Sequence, residues 1–418
     1  MGGIFITKYY IVGVGMTKFG KLYDYTLKDL TKIAVVNALK DANMPKEWIE
    51  AIYFANTGQG AIEGQHAVRG QVAVRPLGFE GIPVVNVENA CASASTALNQ
   101  AIQFLKAGEG DFALAIGAEK MYKKSGGKDF SIFDSAWDVE TPEENLAVLQ
   151  QLEKGYKLPS NAKSADQYST FMDVYAYFAR FHMNRFGTTQ EQIAAVAAKN
   201  HQHSVYNDHA QYQKSFTIEE ILAAPPIVYP FTLPMCSPVS DGAAAAVVCT
   251  EQGLKKLQDQ RRAIEVAASV IQTGSNRRPE EVDRHLTVLS AKRAYEKAGL
   301  GPEDISVAEV HDATAIGEII QVENLGFCDF GEGGARSLKG EFRIGGRLPV
   351  NPSGGLESKG HPIGATGLGQ IYELVTQLRG EAGKRQVDNA KVALAENGGG
   401  VYGLEEAVAA ITLLKTTY

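Results

Sequence analysis

The sequence predicts an α/β protein made of two successive rounds of alternating strands and helices. Short, continuously apolar runs alternate with segments of helical apolar spacing, and this order favours parallel strands joined by crossover helices. With 44% hydrophobic and 21% charged residues, the 418-residue chain contains enough apolar residues to form the hydrophobic cores of two or three domains. Disordered and fibrous classes are therefore excluded.

The net charge and the cysteine content limit which binding partners and which cellular compartment are expected. The net charge of -7 is not concentrated in blocks, so neither a nucleic acid nor a membrane surface is an expected partner. No run reaches the ~18 apolar residues of a membrane-spanning helix, and the amino terminus lacks a signal-peptide pattern. Four scattered cysteines without metal-ligand spacing suit a reducing cytoplasm, where we expect the protein to act without a bound metal.

The first round carries a cysteine at the point where a strand gives way to a helix. After a strand at the amino terminus, a helix is expected at 27–42, with Thr26 as its N-cap. The segments that follow are expected to be a strand at 51–55, a helix containing Arg69 and Val72, a buried strand at 82–87, a helix that Cys91 opens and that runs through Leu105, and a strand at 112–117 buried on both faces.

A polar segment from 121 to 158 interrupts this alternation. A connection of this length in a compact enzyme is more often a lid or binding element than a linker. Its aromatic side chains either line a pocket for a large acyl group or pack the insertion onto the body. These residues are Phe130, Phe133, Trp137 and Tyr156. Helices are expected at 166–186 and 189–205, where His201 and His203, two apart, do not share a face and so exclude a metal site.

A strand at 243–250 returns the chain to the first core, and the second round repeats the alternation from Ile264 onward. Its expected strands are 264–271, 305–310, 391–395 and 407–414, and its expected helices are 288–298, 315–325 and one that opens near His361 and ends at 378. Residues 396–400 are expected to split the last two strands. Each half places a reactive side chain at a strand-to-helix turn, which indicates an internal structural duplication around one cleft.

This pattern predicts three domains. The first is an N-terminal half made of residues 1–120 and 237–263, which carries the cysteine. The second is an inserted loop or lid domain over 121–236. The third is a C-terminal half over 264–418, which carries the histidines.

Cys91 and His361 are the first pair of candidate catalytic residues. Free backbone N–H groups and the helix dipole at the Cys91 junction favour a thiolate, although a buried cysteine can also act as a small hydrophobic residue. A cysteine nucleophile needs a base, and His361 at its glycine-rich helix entrance is the best candidate. The alternative is that His361 only caps that helix.

His311 and the triple glycine at 398–400 are further candidates. His311 ends a buried strand, where parallel strands gather active sites, but it is also explained by a core histidine bonded to Asp312. Gly398 to Gly400 either present backbone N–H donors as an oxyanion hole or form a tight hairpin turn.

Five motifs together resemble the thiolase superfamily, in order and spacing, over nearly the whole chain. They are Asn89-Ala90-Cys91-Ala92-Ser93, Ser240-Asp241-Gly242-Ala243-Ala244, Asn351-Pro352-Ser353-Gly354-Gly355, Gly360-His361-Pro362-Ile363-Gly364-Ala365-Thr366-Gly367 and Gly398-Gly399-Gly400. His311-Asp312 and Lys199-Asn200-His201 are similar to the sterol-carrier-protein type of thiolase. The resemblance implies a thiolase fold, with two duplicated βαβαβαββ halves in a five-layer αβαβα arrangement and an inserted loop domain.

The resemblance also implies an activity and a set of roles. The expected reaction is that of an acyl-CoA C-acyltransferase that cleaves a 3-oxoacyl-CoA, with coenzyme A as co-substrate and no other cofactor. Cys91 is then the acylated nucleophile, and His361 is its base. His311 and His361 form the oxyanion hole for the thioester enolate, and the N–H groups of Cys91 and Gly398 form a second hole for the tetrahedral intermediate.

One departure from the family pattern concerns the proton donor. Thiolases carry a second cysteine before the final glycines, or after His-Asp in sterol-carrier-protein types, and these places hold Glu396 and Ala313 here. A carboxyl beside an apolar pocket has a raised pKa and can act as a general acid, so we expect Glu396 to replace the thiol. The alternative is that Glu396 merely anchors its loop.

The family also suggests partners and alternatives. A homodimer is expected, and branches with this pattern often act with a small zinc-ribbon and OB-fold subunit on bulky or aromatic acyl groups, as in benzoylsuccinyl-CoA thiolase. One alternative reaction is a thiolase-like retro-aldol cleavage of a 3-hydroxyacyl-CoA. Another alternative is a non-catalytic, lipid-binding subunit, which the missing second cysteine permits.

Overall fold

The computed structural model describes residues 7–123 and 132–417. The strands are β1 Tyr9–Met16, β2 Ala51–Ala55, β3 Val84–Val87, β4 Phe112–Glu119, β5 Pro226–Val228, β6 Phe231–Thr232, β7 Gly242–Thr250, β8 Ile264–Thr273, β9 Val307–Glu309, β10 Val392–Gly399 and β11 Val408–Thr416. The helices are α1 Leu27–Asp41, α2 Gln59–Glu63, α3 Arg69–Val74, α4 Ser93–Lys106, α5 Pro142–Gln150, α6 Thr170–Phe186, α7 Gln190–Ser204, α8 Ile218–Ala223, α9 Glu251–Lys255, α10 Leu286–Ala298, α11 Ala315–Asn324, α12 Gly333–Leu338, α13 Gly355–Lys359 and α14 Thr366–Leu378.

Nine of these strands form a mixed sheet in the order β3-β2-β4-β7-β1-β8-β11-β10-β9. In the first half, β3, β2 and β4 are parallel, while β7 and β1 are antiparallel to their neighbours. In the second half, β9 and β10 are parallel and β11 and β8 are antiparallel, and a parallel bridge between Ala308 and Val350 takes the place of β3. The second half therefore repeats the strand order of the first, which confirms the predicted duplication.

Helices cover the sheet in layers. Helix α1 packs on β1 and β7, and α10 packs on β8 and β11, so these two helices form outer layers. Helices α4 and α14 lie between the halves, where α14 contacts both β7 and β10 and α4 contacts both β4 and β11. Their apolar side chains share one core cluster with the inner faces of both halves. The result is the expected αβαβα arrangement.

Several elements follow the sequence expectation closely, because local signals define them. Helix α1 begins after Thr26, whose side chain accepts a hydrogen bond from the Asp29 N–H in a capping box. Strand β2 has the predicted bounds of Ala51–Ala55, and all eight residues of β4 are buried.

Two strand expectations are wrong. Strand β3 is not buried, since it lies at the edge of the sheet and Val85 is 43% exposed. Residues 396–399 do not separate the last two strands, because β10 continues through Gly399 and pairs with β11 along its length. The alternation of strands and helices along the sequence indicates that a strand exists. Only the order of the strands in the folded sheet shows which strand lies at its edge.

The inserted region contains α5 to α8 and the short β5 and β6 pair. Trp137 packs against the cluster around Leu149 and Leu152, and the Tyr156 hydroxyl lies 3.8 Å from the Met183 sulfur, so both aromatics hold the insertion together. Phe130 falls outside the described residues. The domain boundaries at residues 120, 236 and 263 stay a prediction. Within 7–123 and 132–417, every helix is too short or too polar to cross a membrane.

Candidate active site

Cys91 lies in a tight turn between β3 and α4. Ala90 has a φ of +47°, a left-handed conformation that is uncommon for a residue with a side chain. The turn is held by hydrogen bonds from the Ser93 N–H to the Ala90 carbonyl and from the Asn89 N–H to the Ser93 hydroxyl, at 3.1 and 2.8 Å. This strained turn places the sulfur just before the helix, where the sequence predicted it.

His361 contacts the cysteine directly. Its Nε2 lies 3.3 Å from the Cys91 sulfur, and its Nδ1 lies 2.7 Å from the Thr366 hydroxyl. That hydroxyl donates its one hydrogen to the Pro362 carbonyl at 3.1 Å, so it accepts the hydrogen on Nδ1. Nε2 therefore presents a lone pair to the thiol. The alternative in which His361 only caps the helix is wrong.

His311 stands beside this pair with both ring nitrogens unbonded. The His311 and His361 ring centroids are 5.4 Å apart, and the His311 nitrogens are buried without a partner. Asp312 instead accepts hydrogen bonds from the Leu356 N–H at 2.7 Å and the Asn200 side chain at 3.0 Å. The interpretation of His311 as a core histidine bonded to Asp312 is therefore wrong, and the ring is free to bind a reacting oxygen.

The ligand atoms of Cys91, His311 and His361 all lie within 4.8 Å of one another. A Cys and two His side chains at this spacing resemble the ligand set of a zinc site with an open position. The same spacing serves acyl chemistry, in which a sulfur, a base and a hydrogen-bond donor must reach one carbonyl group. Our expectation that the protein binds no metal stays a prediction.

Burial keeps the catalytic groups neutral at rest. It raises the pKa of the Cys91 thiol to about 12, with the charges of Glu88 and Glu119 adding to the effect. Burial also lowers the pKa of His311 to about 4, and it lowers the pKa of His361 well below 6.5. The expected resting thiolate is therefore wrong, because desolvation outweighs the helix dipole and the nearby N–H groups. A neutral thiol beside a neutral imidazole would have to lose its proton to that imidazole before it could act as a nucleophile.

Glu396 occupies the place of the missing cysteine on β10. One carboxyl oxygen accepts the His311 backbone N–H at 2.8 Å, and the other is buried without a partner. Burial, together with the Glu406 charge, raises the pKa of Glu396 well above 4.5. The side chain thus anchors the His311 backbone, and its raised pKa favours the protonated form, so the two interpretations of Glu396 are compatible.

The glycines of β10 permit close approach of three segments. A side chain at Gly399 would lie 2.3 Å from the Asn89 carbonyl oxygen, next to the Cys91 turn. A side chain at Gly398 would lie 2.7 Å from Glu406 and 3.0 Å from Nδ1 of His311. Gly398 and Gly399 are part of β10, and only Gly400 lies in the connection to β11, so the three glycines do not form a tight hairpin turn. The small size of Gly398 and Gly399 brings the strand against the site.

A cavity of about 640 Å³ opens onto Cys91 and His361. Ala313, at the other possible cysteine position, is part of its wall, and so are the cations Lys21 and Lys214. Of the aromatics named from sequence, Phe133 lines the cavity, whereas Trp137 and Tyr156 do not. The remaining aromatic lining comes from Tyr122, Tyr168, Phe171, Tyr175, Tyr212 and Phe216. A space of this size and character suits a large apolar ligand.

A buried polar network supports the histidine loops. The Lys199 ammonium group lies 3.0 Å from Glu318 and 2.7 Å from the Val350 carbonyl, and the neighbouring Asn200 amide donates to Asp312 and to Glu357 at 3.0 Å. The Lys199-Asn200 motif thus joins α7 to the segments that carry His311 and His361. Sequence reasoning missed Thr366 as the orienting partner of His361, although it lies within the same glycine-rich motif.

The chain matches known families over both halves. Residues 9–222 match the family described as Thiolase, N-terminal domain, and residues 268–412 match the family described as Thiolase C-terminal domain-like.

Three curated relatives cover almost the whole chain. The sterol carrier protein 2 of Oryctolagus cuniculus is 38% identical over 403 residues, which cover 94% of this chain and 70% of the relative. The acetyl-CoA acetyltransferase of Methanothermobacter thermautotrophicus is 37% identical, over 94% of this chain and 96% of the relative. The benzoylsuccinyl-CoA thiolase subunit BbsB of Thauera aromatica is 33% identical, over 94% and 95%.

Solved structures share the fold. The Ltp2-ChsH2(DUF35) aldolase aligns with a TM-score of 0.76 at 23% identity, over 98% of both chains. The human mitochondrial 3-ketoacyl-CoA thiolase in complex with CoA aligns with a TM-score of 0.67 at 18% identity, over 99% of this chain and 98% of that chain.

Proposed function

This chain belongs to the thiolase family of acyltransferases, and we propose that it cleaves a 3-oxoacyl-CoA thiolytically through an acyl-Cys91 intermediate. The observation that carries the proposal is the 3.3 Å contact between the Cys91 sulfur and the unprotonated nitrogen of His361 at the wall of a large cavity. A nucleophile and its base at this distance, with the base oriented by a third group, is the arrangement that covalent catalysis requires.

The first half-reaction uses both histidines. Cys91 attacks the 3-oxo carbon while His361 takes the thiol proton, and the N–H groups of Cys91 and Gly398 stabilise the oxyanion. The carbon–carbon bond then breaks, and the departing acetyl-CoA enolate is held by His311 and His361. His361 can donate from Nε2 once it has taken the thiol proton, and neutral His311 can donate from the ring nitrogen that carries its hydrogen.

Three proton transfers complete the cycle. The buried carboxyl of Glu396 supplies the proton that the enolate carbon needs, in place of the family's second thiol. Coenzyme A then attacks the acyl group on Cys91, its thiol proton returns to the enzyme, and the Cys91 sulfur recovers its proton from His361. Overall, one carbon–carbon bond and one S–H bond break, and one C–S bond and one C–H bond form.

The acyl group is proposed to be bulky or aromatic. The aromatic wall of the 640 Å³ cavity supports this choice, because such a surface packs well against a large apolar group. Similarity to a relative described as a benzoylsuccinyl-CoA thiolase subunit also supports a bulky or aromatic acyl group. Turnover is expected to be higher with an aromatic 3-oxoacyl-CoA than with acetoacetyl-CoA. Equal or lower turnover would contradict the proposed substrate class.

Acylation of Cys91 is the direct test of the function. The protein is incubated with acetyl-CoA or a 3-oxoacyl-CoA, quenched in acid and digested, and the Cys91 peptide is weighed. It is expected to gain one acyl group, and the Cys328→Ala control is expected to react equally. Cys91→Ser is expected to lose the thioester adduct.

The same experiment separates the two alternatives. Cleavage of a 3-hydroxyacyl-CoA that persists in Cys91→Ser would favour the retro-aldolase. Binding of an acyl-CoA without an adduct or any cleavage would favour the lipid-binding subunit.

We also propose a cytoplasmic homodimer that associates with a small partner subunit. The exposed edge strand β3 next to Cys91 supports a contact between two copies, since an unpaired strand edge readily pairs with another strand. The Ltp2-ChsH2(DUF35) structure supports the idea of a partner subunit. Light scattering should give a mass of twice that of one chain. The Val85→Pro substitution should lower the measured mass toward that of the monomer. A monomeric wild-type protein would contradict the dimer.

A further inference from the structure

Three titratable side chains converge on one face of β10. Glu396 and Gly398 are two residues apart, so they face the same side of the strand. Glu396 accepts the His311 backbone N–H, and the space above Gly398 is filled by Glu406 and the His311 ring. Glu406 therefore lies beside the enolate-binding histidine and the carboxyl that replaces the thiol.

The surroundings of Glu406 leave one of its oxygens available. Its Oε1 accepts a hydrogen bond from the Gln321 amide at 3.0 Å, whereas its Oε2 is buried without a partner, 3.5 Å from Nε2 of His285. Nδ1 of His285 accepts from the Thr287 N–H, so that imidazole is neutral with its hydrogen on Nε2. Arg277, the nearest cation, is bonded to Glu405.

Glu406 also borders a second cavity of about 60 Å³. Tyr175 is part of the wall of both cavities, so the two spaces lie on either side of it. The second cavity has room for water, which needs only about 10–15 Å³ of such space per molecule. Water in this second cavity can therefore supply protons to Glu406, which lines this cavity and not the 640 Å³ cavity beside Cys91.

We propose that Glu406 relays protons to Glu396, so that the two carboxyls together replace the missing thiol. This inference rests on the proposed function. Glu396–H gives its proton to the enolate carbon and becomes a carboxylate, and Glu406–H then reprotonates it. Glu406 recovers a proton from water in the second cavity, to which the proton released by coenzyme A returns. Two neighbouring buried carboxyls disfavour double ionisation, so at least one proton stays in the pair after Glu396–H has donated.

The relay is tested by hydrogen exchange at the α-carbon of acetyl-CoA in deuterated water. Glu406→Gln is expected to slow this exchange by about 100-fold or more, as loss of general acid and base catalysis does. Acetylation of Cys91 by acetyl-CoA, in which His361 takes the thiol proton and no C–H bond forms or breaks, is expected to stay at the wild-type rate. The matched control Glu373→Gln replaces another buried glutamate, in α14, and should change neither rate.

A pH profile and a double variant separate a relay from a structural role. The charged and titratable groups that face Glu406 are Glu396, Glu405, His311, His285, Arg277 and Tyr175. Burial raises the pKa of Glu406 to about 7, so single-turnover cleavage should slow as the pH rises past 7, and Glu406→Gln should lose this dependence. Glu396→Gln combined with Glu406→Gln should be no slower than Glu396→Gln alone.

The outcomes are distinct. Failure of wild-type Cys91 to become acylated would overturn the proposed function. Normal acylation with undiminished exchange in Glu406→Gln would overturn the relay alone. Strictly additive losses in the double variant would also overturn it, because two members of one relay cannot fail independently.

Discussion

At the residue scale, the chemistry depends on which nitrogen of His361 carries hydrogen. The Thr366 hydroxyl donates to the Pro362 carbonyl and is therefore only an acceptor toward the imidazole. This leaves the lone pair on the nitrogen that faces Cys91. In the proposed mechanism, a hydroxyl that contacts the ring nitrogen away from Cys91 thus determines whether His361 can act as a base.

Removal of that hydroxyl should slow acylation. Thr366→Val keeps the side-chain shape but loses the hydrogen bond, and the rate of Cys91 acylation is expected to fall by about 10- to 100-fold, as for other groups that orient a reactive histidine. Rapid-quench measurement of the acyl adduct gives this rate. Thr376→Val, on the same helix but bonded to the Tyr372 carbonyl, is the control and should react at the wild-type rate. Equal rates in both variants would contradict the assigned hydrogen position.

The raised pKa of the Cys91 thiol also predicts its reactivity. Because burial raises this pKa to about 12, the thiolate fraction in the free protein should grow about tenfold per pH unit throughout the neutral range. Alkylation of the Cys91 peptide by iodoacetamide, followed by mass spectrometry from pH 6 to pH 10, should therefore accelerate without a plateau. A plateau near pH 7 would instead indicate a resting thiolate.

At the scale of elements, the end of β4 joins the two halves of the site. The Glu119 carboxylate is fully buried and accepts hydrogen bonds from the Thr57, Gly58 and Gly364 N–H groups and from the Asn56 amide. Gly364 follows His361 by three residues. One side chain of the first half therefore holds the loop that carries the base of the second half.

Loss of the Glu119 charge should destabilise this junction. Glu119→Gln places an amide NH₂ against N–H donors, and unsatisfied buried donors are expected to lower the free energy of unfolding by about 2–4 kcal/mol. Denaturant titration followed by fluorescence measures the change. Glu109→Gln replaces an exposed glutamate and should shift stability by less than about 0.5 kcal/mol. A similar small shift for Glu119→Gln would show that the junction does not depend on the carboxylate.

At the scale of the whole molecule, a charged cluster connects the outer helix of the first half to the central layer. Asp41, at the end of α1, accepts hydrogen bonds from Arg379 at 2.7 Å and from Arg262 at 2.8 Å. Arg379 follows α14 and its side chain is 3% exposed, and it also donates to the Val12 carbonyl in β1 at 3.1 Å. The cluster thus ties three layers together.

Asp41 should contribute stability that depends on pH. Burial raises the pKa of Asp41, but the charge and hydrogen bonds of Arg379 outweigh burial and the net pKa lies below 3.8. A lowered carboxyl pKa gives stability that is present above the unfolded pKa and is lost as the pH falls through the folded pKa. Asp41→Asn is therefore expected to cost about 2 kcal/mol at pH 7, and this cost should be smaller at a pH below 3.8, where the folded-state carboxylate begins to take up its proton. A cost that is the same at both pH values would contradict an ionic contribution.

Local patterns in the sequence determined the elements and identified the reactive residues. Thr26 predicted the start of α1, the apolar run at 112–117 predicted the core of β4, and the motifs around Cys91 and His361 indicated the family. These features depend on neighbours within one turn of helix or one strand, so they are readable without knowledge of the fold. The internal duplication was visible only as alternation, and the strand order confirmed it.

Only the tertiary structure decided how these residues are protonated and what they touch. Cys91 and His361 are 270 positions apart, and burial against both halves, rather than the local helix dipole, sets the state of the thiol. Glu406 carries no motif and becomes relevant because Gly398 leaves space for it beside His311. Desolvation and long-range contacts depend on the packing of distant segments, and no local pattern in the sequence records that packing.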